Sequence, residues 1–236
     1  MKTTVRCYRH DSDYERVNQF LVRTYGTAGN HINWLQARWE YMHYHPLIDG
    51  VDLNSIGIWE AESEIVGVAH PEHFMGTAYF EFAPSHAELR KDMLAYAEKH
   101  IRAATDDGKT LRIYINDRDD AFQEIAAEMG YEKKGGFEAM SHFIIPDPFP
   151  AIALPDGFRL KSLAEDNDLY KVHRLFWRGF DHGDEPPDDG IAERKFMQSA
   201  PNYRKDLNIV VQAPDGDFVS YCGMWYIVIA GTASES

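Results

Sequence analysis

The amino-acid sequence predicts an α/β protein with a mixed β-sheet flanked by helices. Three observations lead there. Strand-like and helix-like stretches alternate through the first 145 residues, a proline-rich break follows, and the opening pattern then returns.

Val5-Arg6-Cys7-Tyr8 reads as a short strand. Val17, Phe20, Leu21 and Val22 stand at helical spacing after Ser12 or Asp13, either of which can cap a helix by accepting from a free amide. Trp34-Leu35, Arg38-Trp39 and Met42 form a second amphipathic stretch. Ser55 to Ala61 and Glu64 to Ala69 read as two strands joined by a polar turn at Glu62-Ser63. Gly76 to Ala83 is a third strand, ended by Pro84. Residues 86–104 give the strongest helix, with Leu89, Met93, Leu94, Ala97 and Ile101 on one face. Leu111 to Ile115 is a strand, Asp119 to Met129 a helix stopped by Gly130, and Phe137 to Ile145 a last strand.

Pro146, Pro148, Pro150 and Pro155 then remove amide donors and bias their neighbours to extended backbone, so residues 146–155 read as a linker. Beyond it, Phe158-Arg159-Leu160 lines up with Val5-Arg6-Cys7 at an offset of 153. Asp168 to Val172 with Leu175-Phe176 matches Asp13 to Val17 with Phe20-Leu21, two residues later in register. The hairpin Asn208 to Val211 and Phe218 to Tyr221 matches Ser55 to Ile58 and Ile65 to Val68, again at 153. A strand and a hairpin at one offset point to an internal duplication. At that offset the counterpart of Thr77 falls at Ala230, so the expectation is a half copy ending in an apolar strand, Ile227 to Ala230.

Composition narrows the function classes. Thirty-eight acidic against 24 basic side chains give a formal charge of −14, which argues against a nucleic-acid partner because phosphate binding needs a basic surface. No apolar run approaches the roughly 20 residues of a membrane helix, and Met1-Lys2-Thr3-Thr4 opens no signal peptide. Two cysteines, Cys7 and Cys222, are too few for a disulfide framework, so a reducing cytoplasm is expected. An acidic surface suits an amine or cationic ligand, or serves solubility alone.

With Met129-Gly130-Tyr131-Glu132 followed by Phe137 to Phe143, and with Pro214-Asp215-Gly216-Asp217-Phe218-Val219 leading to Gly223-Met224-Trp225-Tyr226, the chain resembles the GNAT superfamily of N-acetyltransferases in its tandem two-domain form. The first stretch is similar to the family's junction before its final strands, the second to its β-hairpin leading toward the cofactor strand. The organisation this implies is a GNAT-like domain over 1–145, a linker over 146–155 and the N-terminal half of a second GNAT-like domain over 156–236. The resemblance implies acetyl transfer from acetyl-CoA to a small-molecule or peptide amine. Backbone amides at a helix N-terminus would receive the pyrophosphate and a strand edge the pantetheine. A base would take the amine's proton, and an acid, often a tyrosine, would protonate the thiolate.

The first domain departs from the family at the phosphate loop. Pro84-Ser85-His86-Ala87-Glu88-Leu89-Arg90-Lys91-Asp92 keeps the proline but has neither glycine of the family's turn, and is about two residues shorter than the usual spacing. Glu88 and Asp92 there would repel a pyrophosphate. The position of the family's tyrosine is Ala126. The expectation is therefore a degenerate site, and an N-acetyltransferase-like protein impaired by that loop and by the short second copy. The alternative is a non-catalytic scaffold that has lost acetyl-CoA.

Glu81 stands on the strand where the family often places its base, facing away from Phe80 and Phe82; the alternative is a solvated strand carboxylate. Phe82 and Ala83 offer amides to pantetheine, and Arg90 and Lys91 offer charges to CoA phosphates, although exposed helix charges look the same in sequence. His43-Tyr44-His45 and His70-Pro71-Glu72-His73 have ligand-like spacing but no H-E-x-x-H pattern, so no metal is expected. The acidic stretch Asp181 to Gly190 is either one wall of an amine pocket or a solvated loop. Trp34, Trp39, Trp177 and Trp225 read as packing residues. An unpaired strand around Trp225 to Ala230 would favour a homo-oligomer joined at the C-terminal edge.

Overall fold

The computed structural model describes residues 2–28, 33–105, 108–141, 143–187 and 190–225. The chain divides into two units, Met1–Glu132 with Phe196–Asn202, and Lys133–Lys195 with Tyr203–Trp225.

The first unit is built on a five-stranded sheet. Its strands are β1 (Thr4–Cys7), β2 (Gly57–Ala61), β3 (Glu64–His70), β4 (Thr77–Phe82) and β7 (Arg112–Ile113), in the spatial order β1-β2-β3-β4-β7. The first four run antiparallel and β4–β7 is parallel, so the sheet is mixed. β2 and β3 form a hairpin whose turn residues Glu62 and Ser63 both have positive φ, 50° and 69°, the twist-matched turn of a two-residue hairpin. The helices are α1 (His10–Ala28), α2 (Gln36–His43), α3 (Arg90–His100) and α4 (Asp120–Glu128), and the short hairpin β5 (Ala103–Thr105) and β6 (Gly108–Thr110) is additional to the expected elements.

Strand alternation sorts the two faces. Val17, Phe20 and Leu21 of α1, Trp34, and Trp39 and Met42 of α2 pack with Ile58, Val68 and Tyr79 on one face. Leu89, Met93, Leu94, Ala97 and Ile101, with Phe122 and Ala126 of α4, pack with Trp59, Ala69 and Phe80 on the other. Gly57 is required by close approach, since a Cβ there would lie 2.6 Å from the Tyr96 ring. An ionic knot ties β1, α1 and β2: Arg6 donates to both carboxylate oxygens of Asp13 at 2.6 and 2.7 Å and to those of Glu60 at 2.9 and 3.0 Å. Burial opposes ionisation of Asp13, but donation from Arg6, the Arg9 amide and Arg16 outweighs it and holds the carboxyl below its ordinary range.

Three expected elements are corrected. The helix over 86–104 is α3, Arg90–His100, preceded by a 3-10 turn over Pro84–Leu89. His86 leaves helical geometry (φ −125°, ψ 37°), and the Gly76 amide captures the Ile101 carbonyl at 2.7 Å, which ends the helix and turns the chain into β5. The strand over Leu111 to Ile115 is reduced to Arg112–Ile113. The described residues of Phe137 to Ile145 enter no ladder, and Phe137, Phe143 and Ile144 are 75–85% exposed. Apolar alternation marks a stretch fit for a strand, but it supplies no partner for the strand's own N–H and C=O groups.

The second unit has a three-stranded antiparallel sheet in the order β10-β9-β8, from β8 (Arg159–Ser162), β9 (Asn208–Gln212) and β10 (Phe218–Gly223). It also holds α5 (Leu169–Gly179), whose N-terminus Asp168 caps by accepting from Tyr170 and Lys171 amides. Leu163, Val172, Val210 and Phe218 make its core. A helix α6 (Ile191–Met197) precedes β9. The apolar stretch Ile227 to Ala230, and with it most of the expected C-terminal edge strand, lies outside the described residues. No described helix is long and apolar enough to cross a membrane.

Candidate functional site

The parallel pair β4–β7 is short. Thr77 pairs with Arg112 and Ala78 with Ile113, and the Tyr114 amide donates to the Ala78 carbonyl at 3.1 Å. Among the described residues the ladder ends there. On the opposite edge β4 continues along β3 as far as Ala83, whose amide donates to the Val66 carbonyl at 2.8 Å. Addressing alternates along an antiparallel strand, so Tyr79, Glu81 and Ala83 turn their amides to β3, while Phe80 and Phe82 turn theirs to the side that β7 has left. Of the two expected pantetheine donors, the Phe82 amide is thus on the open edge and the Ala83 amide is consumed by the sheet.

Glu81 is not a solvated carboxylate. It is 2% exposed, and its Oε2 accepts from the amides of Asn33 and Trp34 at 2.8 and 3.0 Å. Burial disfavours its charged form and raises its pKa to about 8, against the two amides, which act in the opposite direction. Tyr79 shares its face of β4, and the ring of Tyr114 stacks on Tyr79 at 4.9 Å between centroids with 6° between planes. Tyr79 was not singled out in the sequence, although its spacing of two from Glu81 puts both on one face of the strand. The Asn33 and Trp34 amides carried no sequence signal, since any residue supplies one.

Arg90 and Lys91 part company. Arg90 Nε donates to Asp119 at 2.9 Å, its Nη1 to the Ala87 carbonyl at 2.7 Å, and its guanidinium lies 4.8 Å from the centre of the Phe82 ring. That places it against β4, with Nε held by the capping residue of α4 and Nη1 by the Ala87 carbonyl. Lys91 is exposed on the first turn of α3. Asp92 accepts from the Trp59 indole at 2.6 Å, so it serves packing between α3 and β2. Ala126, at the position of the family's acid, is a buried core residue.

The histidine pairs separate. His70 is fully buried between Trp34 and Trp39, its Nδ1 2.8 Å from the Pro71 carbonyl, and burial depresses its pKa to about 3. His45 packs on His73, with ring centroids 4.4 Å apart. Among the described residues no three His, Cys, Asp or Glu side chains converge as a metal site would require. Within the acidic stretch 181–190, Glu185 is paired with Arg174 and Arg178 of α5 at 3.2 and 3.0 Å. Trp34 and Trp39 are buried in the core of the first unit as expected, and Cys7 and Cys222 are free thiols.

No family model matches the sequence. No curated protein matches it either. Among solved structures, the chain is similar to one described as a tandem GNAT protein from the clavulanic acid biosynthesis pathway (without AcCoA), at 11% identity and a TM-score of 0.47, over 93% of this chain and 73% of the other. It is also similar to a GCN5-related glucosamine N-acetyltransferase region of a fungal multi-domain GH3 beta-N-acetylglucosaminidase, at 12% identity and a TM-score of 0.41, over 93% of this chain and 27% of the other. Likeness of that degree carries no argument about activity. The mixed α/β sheet flanked by helices stands on the strand order itself.

Proposed function

We propose that the first unit is a GNAT-like acyltransferase domain, an acetyl-CoA-dependent N-acetyltransferase acting on an amine, with an impaired phosphate end. The observation that carries this is the early end of the β4–β7 ladder beside buried Glu81. A strand edge with amides at Phe80 and Phe82 suits an extended amide-bearing chain such as pantetheine, which can bond there as a further strand would. The pyrophosphate end fits poorly. The 3-10 turn Pro84–Leu89 has no glycine, Glu88 is exposed on it, and Arg90 is engaged by Asp119.

Within this reading Glu81 is the base. Asn33 and Trp34 both address Oε2, which leaves Oε1 to take the proton as the amine nitrogen bonds to the acetyl carbon and the carbon–sulfur bond breaks. The departing thiolate needs a proton that Ala126 cannot give, so turnover is slow. The second unit, with its strand–helix–hairpin order, is read as a partial second copy, and association of two chains through the C-terminal edge expected around Trp225 to Ala230 is part of the same proposal.

The test is acetyl transfer from acetyl-CoA to a panel of small amines and amino-terminal peptides. We expect slow turnover in the full chain and at least about a hundredfold loss in Glu81→Gln, the scale of a lost general base. Turnover unchanged in Glu81→Gln would leave Glu81 as a staple for the Asn33–Trp34 segment and remove it from the chemistry.

A further inference from the structure

On the face of the first unit away from α3 and α4, Tyr8, His10 and His43 form a hydrogen-bonded chain whose direction can be assigned. His43 Nδ1 lies 2.9 Å from the Trp39 carbonyl, and a carbonyl only accepts, so that nitrogen carries a proton. His43 is 6% exposed, and burial depresses its pKa to about 4, so the ring is neutral and its Nε2 is an acceptor. The Tyr8 hydroxyl lies 3.2 Å from that Nε2 and 3.1 Å from His10 Nδ1. It has one hydrogen, which goes to His43. Its oxygen must therefore accept from His10, whose proton sits on Nδ1.

The consequence falls on His10. In the neutral ring, a proton on Nδ1 leaves Nε2 with a lone pair, and among the described residues nothing donates to it. This is the tautomer less favoured in free histidine, fixed here by Tyr8. His10 and His43 line a concavity of about 360 Å³ together with Ile48, Asp49, Val51 and Leu53. That volume falls within the range of small-ligand sites. Its lining combines the His10 imidazole, a negative charge in exposed Asp49, and the apolar side chains of Ile48, Val51 and Leu53.

We propose that this concavity binds a small primary alkylammonium, the ammonium donating to His10 Nε2 and facing Asp49 while its alkyl chain lies on Ile48, Val51 and Leu53. A neutral alcohol of the same length has no charge to face Asp49, and an anion is repelled. The site does not involve Glu81, so the proposal stands apart from the acyl-transfer reading.

The test is nitrogen NMR of histidine-labelled full-length protein near pH 8, titrated with n-butylammonium chloride and, separately, n-butanol. We expect His10 to show the Nδ1–H tautomer and Tyr8→Phe to convert it to the Nε2–H form. Butylammonium should shift the His10 Nε2 resonance saturably, with at least about a fivefold weakening in Asp49→Asn and at least about a fivefold weaker response to butanol. An Nε2–H tautomer in the unaltered protein would overturn the relay. A shift that stays linear to about 50 mM, or equal affinity in Asp49→Asn, would overturn the ligand assignment.

Discussion

The two units open alike and differ in what encloses them. Each has a strand, a helix and an antiparallel hairpin, giving the orders β1-β2-β3 and β8-β9-β10. Among the described residues of the first, thirteen buried side chains pack on one face of the sheet and twelve on the other. Among those of the second, four form the core. The meander is the shared frame, and in the first unit β4 extends the sheet while α3 and α4 close its second face. The candidate chemistry sits on the same added elements, because Glu81 and the open edge both belong to β4.

The comparison can be broken first by local opening. Hydrogen exchange of the full chain should show β3 amides exchanging only through the slowest opening, while β9 amides exchange at least about a thousandfold faster after correction for intrinsic rates. Equal protection would mean that the two cores are equally strong. Next, Phe80→Ala removes a fully buried ring from the first unit and is expected to cost about 3–5 kcal/mol, read as a lowered denaturation midpoint for that unit. Arg6→Ala leaves Asp13, which is 0% exposed, without its bidentate partner, at a cost of about 3 kcal/mol in the same assay.

Glu81 gives the first unit a pH signature. Its pKa is raised from 4.5 to about 8 on folding, so the stability of the protonated form is complete below about 4.5 and is lost as pH rises toward about 8. Glu81→Gln should therefore flatten the stability profile in that window, removing a slope of roughly 1.4 kcal/mol per pH unit, as measured by urea denaturation at stepped pH. Arg174→Ala in the second unit should do least. Its pairs with Glu185 and Asp217 are partly exposed, and a change of at most about 1 kcal/mol is expected by urea denaturation.

What the sequence disclosed follows the range of the forces involved. The α3 face of Leu89, Met93, Leu94, Ala97 and Ile101 was legible because helical periodicity is local, and all five are buried. The helix ends were not, because the Gly76 amide that stops the helix at Ile101 arrives from 25 residues away. Phe137 to Ile145 looked like a strand because alternation is local, whereas its ladder depends on a partner. The same split runs through the site. Glu81 was identifiable by type and strand position, but its burial depends on the Asn33 and Trp34 amides. Arg90 looked available in sequence, and Asp119, 29 residues on, engages it. The sequence put the helix start at Ser12 or Asp13 and gave no sign that His10 opens α1 beside Tyr8.

On the proposed function, the open edge of β4 would hold the pantetheine arm while the phosphate end contributes little. Calorimetric titration of the full chain with acetyl-CoA, and with S-acetyl-pantetheine lacking the nucleotide, tests it most directly. Saturable binding of both is expected, with affinities within about threefold of each other. No heat from either ligand at millimolar concentration would contradict the acyltransferase reading and return the domain to a scaffold. Binding of acetyl-CoA at least about a hundredfold tighter than the truncated ligand would contradict the degenerate phosphate end.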